Sequence, residues 1–248
     1  MPGIGVITNP KAKKNIKRPW IRDSLQRIVG DSGWVYETRS IDELPALAYE
    51  FIEKGIDILA VNGGDGTTHA TLTNFIPVYR DKGMPLPKLL SLKGGTMNTI
   101  SKSIKHKGRG EGILTSVVQK YKEGKEIQHI RQPVLKINEK YGFMWGYGIA
   151  GNFLEHYYKG TVLGRWQAFK VAARLISSAV FQTSMAKEVF GIHPTVMEVD
   201  GHVMEMPDCR AIVVCSIKEV GLGVKLAYRA YEKPGHVHIR GTTLSPIK

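Results

Sequence analysis

Ile56-Asp57-Ile58-Leu59-Ala60-Val61-Asn62-Gly63-Gly64-Asp65-Gly66-Thr67-Thr68 decides how this chain folds. A short β-branched run with so few polar groups suits a strand buried on both faces of a parallel sheet. The residues after the turn, Thr68 to Ile76, have helical character. A strand that enters a helix through glycines leaves free backbone N–H groups at a positive helix end, where a phosphate approaches without meeting a Cβ. Asp65 does not suit a bare anion site, because a carboxylate repels phosphates. Three roles stay open for it: holding Mg2+, accepting a hydroxyl proton, or hydrogen-bonding a nucleotide or substrate hydroxyl. The plainer alternative is a tight turn whose glycines serve backbone geometry alone.

A second segment repeats the design. Leu89-Leu90-Ser91-Leu92-Lys93-Gly94-Gly95-Thr96-Met97-Asn98-Thr99-Ile100 is again an apolar strand, then glycines, then Thr and Asn opening a helix. In an open α/β sheet ligands sit beyond the carboxyl ends of the strands, so two such loops line one crevice. A third segment, Ile4-Gly5-Val6-Ile7-Thr8-Asn9-Pro10-Lys11, is a first strand ending in Asn-Pro, with Lys13 and Lys14 close behind.

The three segments together resemble the diacylglycerol kinase catalytic-domain family, bacterial lipid kinases of NAD-kinase-like fold related to sphingosine and ceramide kinases. Asn9-Pro10 matches the family's opening Asn-Pro, Gly63 to Thr67 its GGDGT, and Gly95-Thr96-Met97-Asn98 its Gly-Thr-x-Asn. Thr38 matches a threonine that contacts the nucleotide. NAD kinases and phosphofructokinases share a similar GGDG loop, but the Gly-Thr-x-Asn segment favours the lipid-kinase branch. The resemblance implies ATP held between two domains by Asn9, Thr38, Gly63, Gly64, Asp65, Gly66, Thr67, Gly95, Thr96 and Asn98, with Mg2+ on Asp65. It implies transfer of the γ-phosphoryl group to the hydroxyl of a diacylglycerol or sphingoid lipid.

Departures from the family cluster where catalysis is decided. His69-Ala70 stands where the family has Asn-Glu, and Thr99-Ile100-Ser101 where it has Asp-Phe-Ala. Pro234 takes the place of a metal-holding Asp, and the late acidic residue that the family supplies as general base has no counterpart before Lys248. Asp65 is then the first candidate to replace that acidic residue, since phosphoryl transfer needs positioning and charge neutralisation first and only modest help in proton removal. Glu232 is the second: it lies two positions before the missing Asp, and a strand shift of two keeps the same face. The departures also keep open another class of protein, a nucleotide-binding module of the same fold that has lost phosphoryl transfer.

Composition is consistent with both. A chain of 248 residues, 42% hydrophobic, can bury a substantial core. Thirty-five Lys and Arg against twenty-two Asp and Glu leave a net charge of +13, which favours an anionic partner: nucleotide phosphates, acidic lipid headgroups or nucleic acid. No nucleic-acid-binding motif accompanies the charge, so no nucleic-acid partner is expected. Cys209 and Cys215 are spaced too far along one strand-like run to form a disulfide. With neither a leader nor a spanning segment evident, the expected location is cytoplasmic, with peripheral contact at an anionic inner membrane face. Oligomeric state is not legible.

The expected organisation is α/β: a Rossmann-like nucleotide-binding domain with a parallel sheet over 1–128, then a shortened lipid-binding β-sandwich with a helical insertion over 129–248. The first region reads strand 4–8, helix 19–29, strand 33–38, helix 42–54, strand 56–61, helix 67–82, strand 88–92, and helices 96–104 and 111–123. A basic loop, Lys105 to Gly110, links the last two. The second reads as strands 128–137, 142–150, 194–200, 210–217 and 236–240, with a turn at Asp200-Gly201. In the insertion, Leu163 to Met185, Trp166, Phe169, Ala173, Ile176 and Val180 share one helical face, with Gln167, Lys170, Arg174 and Ser178 as a polar strip opposite and Lys159, Arg165 and Lys187 flanking. Such a face either packs on a core or lies in a membrane interface. Scattered histidines, His236 and His238 on one strand among them, offer no metal-ligand spacing.

Overall fold

A computed structural model describes residues 3–104, 107–160, 164–221 and 223–245. Lys105, His106, Leu163 and Lys248, named above, lie outside the described residues, as does the side chain of Arg165. The chain divides into two compact units, Met1–Gly142 and Phe143–Lys248, rather than near residue 129.

In the first unit four parallel strands, β1 (Gly3–Thr8), β2 (Gly33–Glu37), β3 (Ile56–Asn62) and β4 (Lys88–Ser91), pair in the order β2-β1-β3-β4. Six helices accompany them among the described residues: α1 (Lys13–Ile16), α2 (Ile21–Val29), α3 (Leu44–Glu53), α4 (Asp65–Asp81), α5 (Thr99–Ser103) and α6 (Gly110–Lys122). Their starts follow local chemistry. Ser40 and Glu43 form a capping box just before α3, which has Pro45 in its first turn.

The period of two along each strand sends alternate residues to opposite faces, and each face has its own core. Ile4, Val6, Ile58 and Ala60 meet Leu25 and Val29 of α2 and Leu114 and Val117 of α6. Ile7, Leu59 and Val61 meet Leu47 and Phe51 of α3 and Phe75 and Tyr79 of α4. Gly5 is small because Phe51 lies on it: a Cβ there would stand 2.2 Å from the ring. Phe51 is fully buried, edge-on to Phe75 at 5.3 Å, and Phe51→Ala is expected to destabilise the protein by about 3–5 kcal/mol. Urea unfolding should show this as a lower midpoint at unchanged slope.

A hairpin, β5 (Leu135–Ile137) and β6 (Lys140–Gly142), completes the unit. It packs on α4: the Tyr141 N–H donates to Thr73 Oγ1 at 3.0 Å, and Arg80 donates to the Tyr141 hydroxyl at 3.3 Å. These bonds carry the first unit on to Gly142. Residues 128–134, expected as strand, have no regular structure.

The second unit has a three-stranded antiparallel sheet in the order β11-β10-β7, from β7 (Met144–Gly148), β10 (Ala211–Cys215) and β11 (His238–Thr242). Strands β8 (Thr195–Val199) and β9 (His202–Met206) form a separate hairpin. Asp200 and Gly201 turn it with φ of 51° and 80°, the left-handed pair that such two-residue turns require. Three helices, α7 (Ile149–Tyr158), α8 (Arg165–Val180) and α9 (Ser184–Val189), form the insertion. The expected strand 142–150 stops at Gly148, whose φ of 64° turns the chain into α7, a helix the sequence reading did not foresee. The molecule is thus mixed α/β, one parallel sheet with further antiparallel sheets. Cys209 and Cys215 are buried free thiols.

Candidate functional site

Because the four strands of the first sheet are parallel, the segments after β1, β2, β3 and β4 all leave from one edge. Asn9, Thr38, Gly63 to Thr67 and Gly95 to Asn98 occupy these four exits. The strand order changes direction between β1 and β3, the place where open α/β sheets part their loops to admit a ligand.

Backbone hydrogen bonds continue the ladder past the strand ends: Asn9 N–H to Asn62 O at 3.2 Å, Thr38 N–H to Thr8 O at 3.0 Å and Gly95 N–H to Gly63 O at 3.0 Å. Asn9 Nδ2 donates to Thr67 Oγ1 at 2.9 Å, joining the β1 exit to the first turn of α4. Beneath them lies a buried polar layer. Asn62 Nδ2 donates to Thr8 Oγ1 at 2.9 Å, and Asn15 Nδ2 donates to the carbonyls of Asn9 and Asn62 at 2.8 and 2.9 Å. Asn15 and Asn62 were not singled out in the sequence, yet they hold the loop bases together.

The two glycine loops press against each other. A Cβ on Gly95 would stand 2.3 Å from Gly64 Cα, and one on Gly94 would stand 2.8 Å from Asn62 Oδ1. Asn98 holds the second loop from within: it is buried, sits at φ 49°, accepts from Gly95 N–H at 3.2 Å and donates to Gly95 O at 2.9 Å. Left-handed backbone suits Asn better than most side chains, which explains the residue type here. Thr96 is half-buried beside it.

Asp65 has a use that its sequence context did not show. Its Oδ2 accepts from Thr99 N–H at 3.0 Å and its Oδ1 from Ile100 N–H at 3.2 Å, so one carboxylate of the first loop caps the helix that opens after the second. An ionised carboxylate has about four lone-pair sites, which leaves acceptor capacity beyond these two bonds. Among the described residues no three His, Cys, Asp or Glu side chains cluster as a metal cage. A lone carboxylate fits Mg2+ nonetheless, because that ion is commonly bound by one or two carboxylates together with substrate phosphates and waters.

Glu232 does not behave as the strand argument required. Residues 226–235 are turns rather than strand, and β11 begins only at His238, so the same-face argument fails. Its carboxylate pairs with Arg229 at 2.7 Å, in an exposed position of the second unit.

Lysines frame the second loop. Lys14 Nζ donates to Lys93 O at 2.8 Å, its N–H donates to Gly94 O at 3.2 Å, and Lys93 is itself held at φ 57°. Burial, then Lys93 and Lys102, hold the Lys14 ammonium below the usual lysine range. Burial and Lys102 do the same to Lys93. Mutually repelling cations beside glycine-rich backbone form a site whose charge is relieved by an anion. Lys93 and Lys102 escaped the sequence reading because only the fold brings them to Lys14.

A Rossmann-like α/β unit carrying two interlocked glycine loops at the carboxyl edge of its sheet is the class that fold and site define. Residues 3–130 match the model of the diacylglycerol kinase catalytic domain, and the chain belongs to that family. No curated protein matches the sequence. Among solved structures, a diacylglycerol kinase from Bacillus anthracis strain Sterne is 19% identical with a TM-score of 0.59, over 90% of this chain and 67% of its own. Another, described as a candidate diacylglycerol kinase of the same strain, is 19% identical with a TM-score of 0.61, over 96% of this chain and 75% of its own. At that identity the structures share the fold.

Proposed function

We propose that the chain is an ATP-dependent lipid kinase that transfers the γ-phosphoryl group to a hydroxyl of the diacylglycerol or sphingoid class. The observation that carries this reading is the interlocking of the GGDGT and Gly-Thr-x-Asn loops at one sheet edge with the Lys14, Lys93 and Lys102 cluster beside them. Backbone N–H groups at the start of α4 and these ammonium groups receive the nucleotide phosphates. Asn9, Thr38, Thr67 and Thr96 supply the polar side chains around them. Asp65 would hold Mg2+, which would supply charge neutralisation for the transferring group. In the reaction the lipid oxygen bonds to the γ-phosphorus, the bond to the β-phosphate oxygen breaks, and the hydroxyl proton passes to Asp65.

Transfer of label from γ-labelled ATP to diacylglycerol, ceramide, sphingosine and monoacylglycerol in mixed micelles tests the reading. Labelled lipid that disappears in Asp65→Asn supports it. Glu232→Gln, at an exposed turn position paired with Arg229, should transfer label at the wild-type rate. A second reading, a nucleotide-binding module without turnover, is favoured by the engagement of both Asp65 oxygens with backbone N–H groups. Nucleotide binding with no transfer to any lipid would establish it.

The lysine cluster gives a separate expectation. A lysine whose folded pKa is lowered bears its full penalty at pH 7, below both folded and unfolded values, and sheds it only as pH rises through the folded value toward 10.5. Lys14→Met should therefore raise the melting temperature of the ligand-free protein at neutral pH. It should also weaken ATP binding roughly tenfold. Thermal shifts with and without ATP measure both effects, and a lowered ligand-free melting temperature would contradict the argument.

A further inference from the structure

Helix α8 settles which way its apolar face points. Its buried side is Ala168, Val171, Leu175 and Ala179, and Ser178 of the expected polar strip is buried with them. The stripe of large apolar residues is turned outward: Trp166 is 79% exposed, Phe169 61%, Ile176 65%, Val180 71%, and Phe181, just past the helix end, 77%. Trp166 and Phe169 stand edge to face at 6.2 Å. At about 100° per residue, Lys170 and Arg174 flank this stripe rather than oppose it.

Beside that cationic flank lies a cavity of about 450 Å³, walled by His156, Lys159, Gln167, Lys170, Arg174 and Met185. Lys159 is paired with Glu155 at 2.8 Å, whereas among the described residues no carboxylate pairs with Lys170 or Arg174. One helix thus presents an aromatic and aliphatic surface and, next to it, a hollow with unneutralised cations.

We propose that α8 docks the protein on an anionic phospholipid bilayer, with Trp166, Phe169, Ile176, Val180 and Phe181 entering the interface and a headgroup phosphate seated between Lys170 and Arg174. The juxtaposition selects this occupant. Apolar side chains beside Lys and Arg reproduce the depth profile of a bilayer surface, apolar inside and anionic at the headgroups. A second copy of the chain brings no charge complement, since each copy carries +13 and the same cations on this helix. A nucleic acid leaves the apolar stripe unburied. The proposal deepens the lipid-kinase reading by naming the surface that meets the lipid phase. Docking needs neither ATP nor turnover, so each can fail without the other.

Vesicle co-sedimentation without nucleotide tests it, using phosphatidylcholine alone and phosphatidylcholine doped with phosphatidylglycerol. Wild type should sediment with the doped vesicles, weakly with the neutral ones, and less as salt is raised. Lys170→Gln with Arg174→Gln should weaken that binding roughly 30-fold, from the loss of two cations near the surface. Trp166→Ser with Phe169→Ser should weaken it roughly tenfold. All four side chains are exposed, so the fold should survive both pairs. Failure of wild type to bind doped vesicles at low salt would overturn the proposal, as would unchanged binding by both pairs. A concentration-dependent dimer that only the Trp166 and Phe169 pair disrupts, with vesicle binding intact, would assign the face to self-association instead.

Discussion

Asp65→Asn should lower both stability and nucleotide affinity. The two carboxylate oxygens accept the N–H groups of Thr99 and Ile100, and an amide offers one oxygen and one NH2 in their place. Whichever way it turns, one backbone donor then faces a donor. Leaving one such group unsatisfied costs about 1–3 kcal/mol. That loss should appear in thermal unfolding of the ligand-free protein, before any ligand is involved. Since the carboxylate ties the start of α5 to the first loop, nucleotide affinity should fall with it, and phosphoryl transfer should fall by about 10²–10⁴. Calorimetry with ADP, melting curves and the transfer assay on one variant separate the roles. Unchanged stability would refute the clamp. Reduced stability with intact nucleotide binding and transfer would show that Asp65 is a clamp only.

Gly95→Ala should be as damaging for a different reason. Its Cβ would meet Gly64 Cα at 2.3 Å, Gly64 N at 3.0 Å and Asn98 Oδ1 at 3.1 Å. Backbone atoms cannot rotate aside, and carbon atoms need about 3.5–4.0 Å, so the loops must part by more than about 1 Å. A displacement of that size at a site that positions reacting groups costs on the order of 100-fold in activity. Overpacking of this kind destabilises by about 1–3 kcal/mol. Gly66→Ala is the matched control, because nothing lies within 4 Å of its added Cβ. It should leave the fold intact, yet weaken ATP binding if phosphates approach the start of α4. A Gly95→Ala protein with wild-type nucleotide affinity would mean that the contact between the loops is incidental to ligand binding.

Most of the first unit was legible in the sequence. Strand 56–61 is observed as Ile56–Asn62 and helix 111–123 as Gly110–Lys122, because buried parallel strands and amphipathic helices leave local periodicities. The loops were legible through their glycines and through Asn98. Partners were not. Asp65 bonds to groups 34 and 35 residues away, and Asn62 to Asn15 at a separation of 47. Lys93 and Lys102 look like ordinary surface lysines until the loops fold beside Lys14. Glu232 shows the reverse error: a same-face argument holds only on a strand, and the segment is a turn. Helix α7 was missed because its sequence opens among glycines that read as a strand end.

What the sequence determined by itself is the parallel α/β unit, its glycine loops and their family, since periodicity and turn chemistry act over a few neighbouring residues. Tertiary structure alone decided that Asp65 clamps one loop to the next, that three lysines share one edge, and that α8 turns its aromatic stripe outward. A helix carrying apolar residues on two faces can bury either one. Which face is covered depends on the elements that pack against it, and those come from distant parts of the chain.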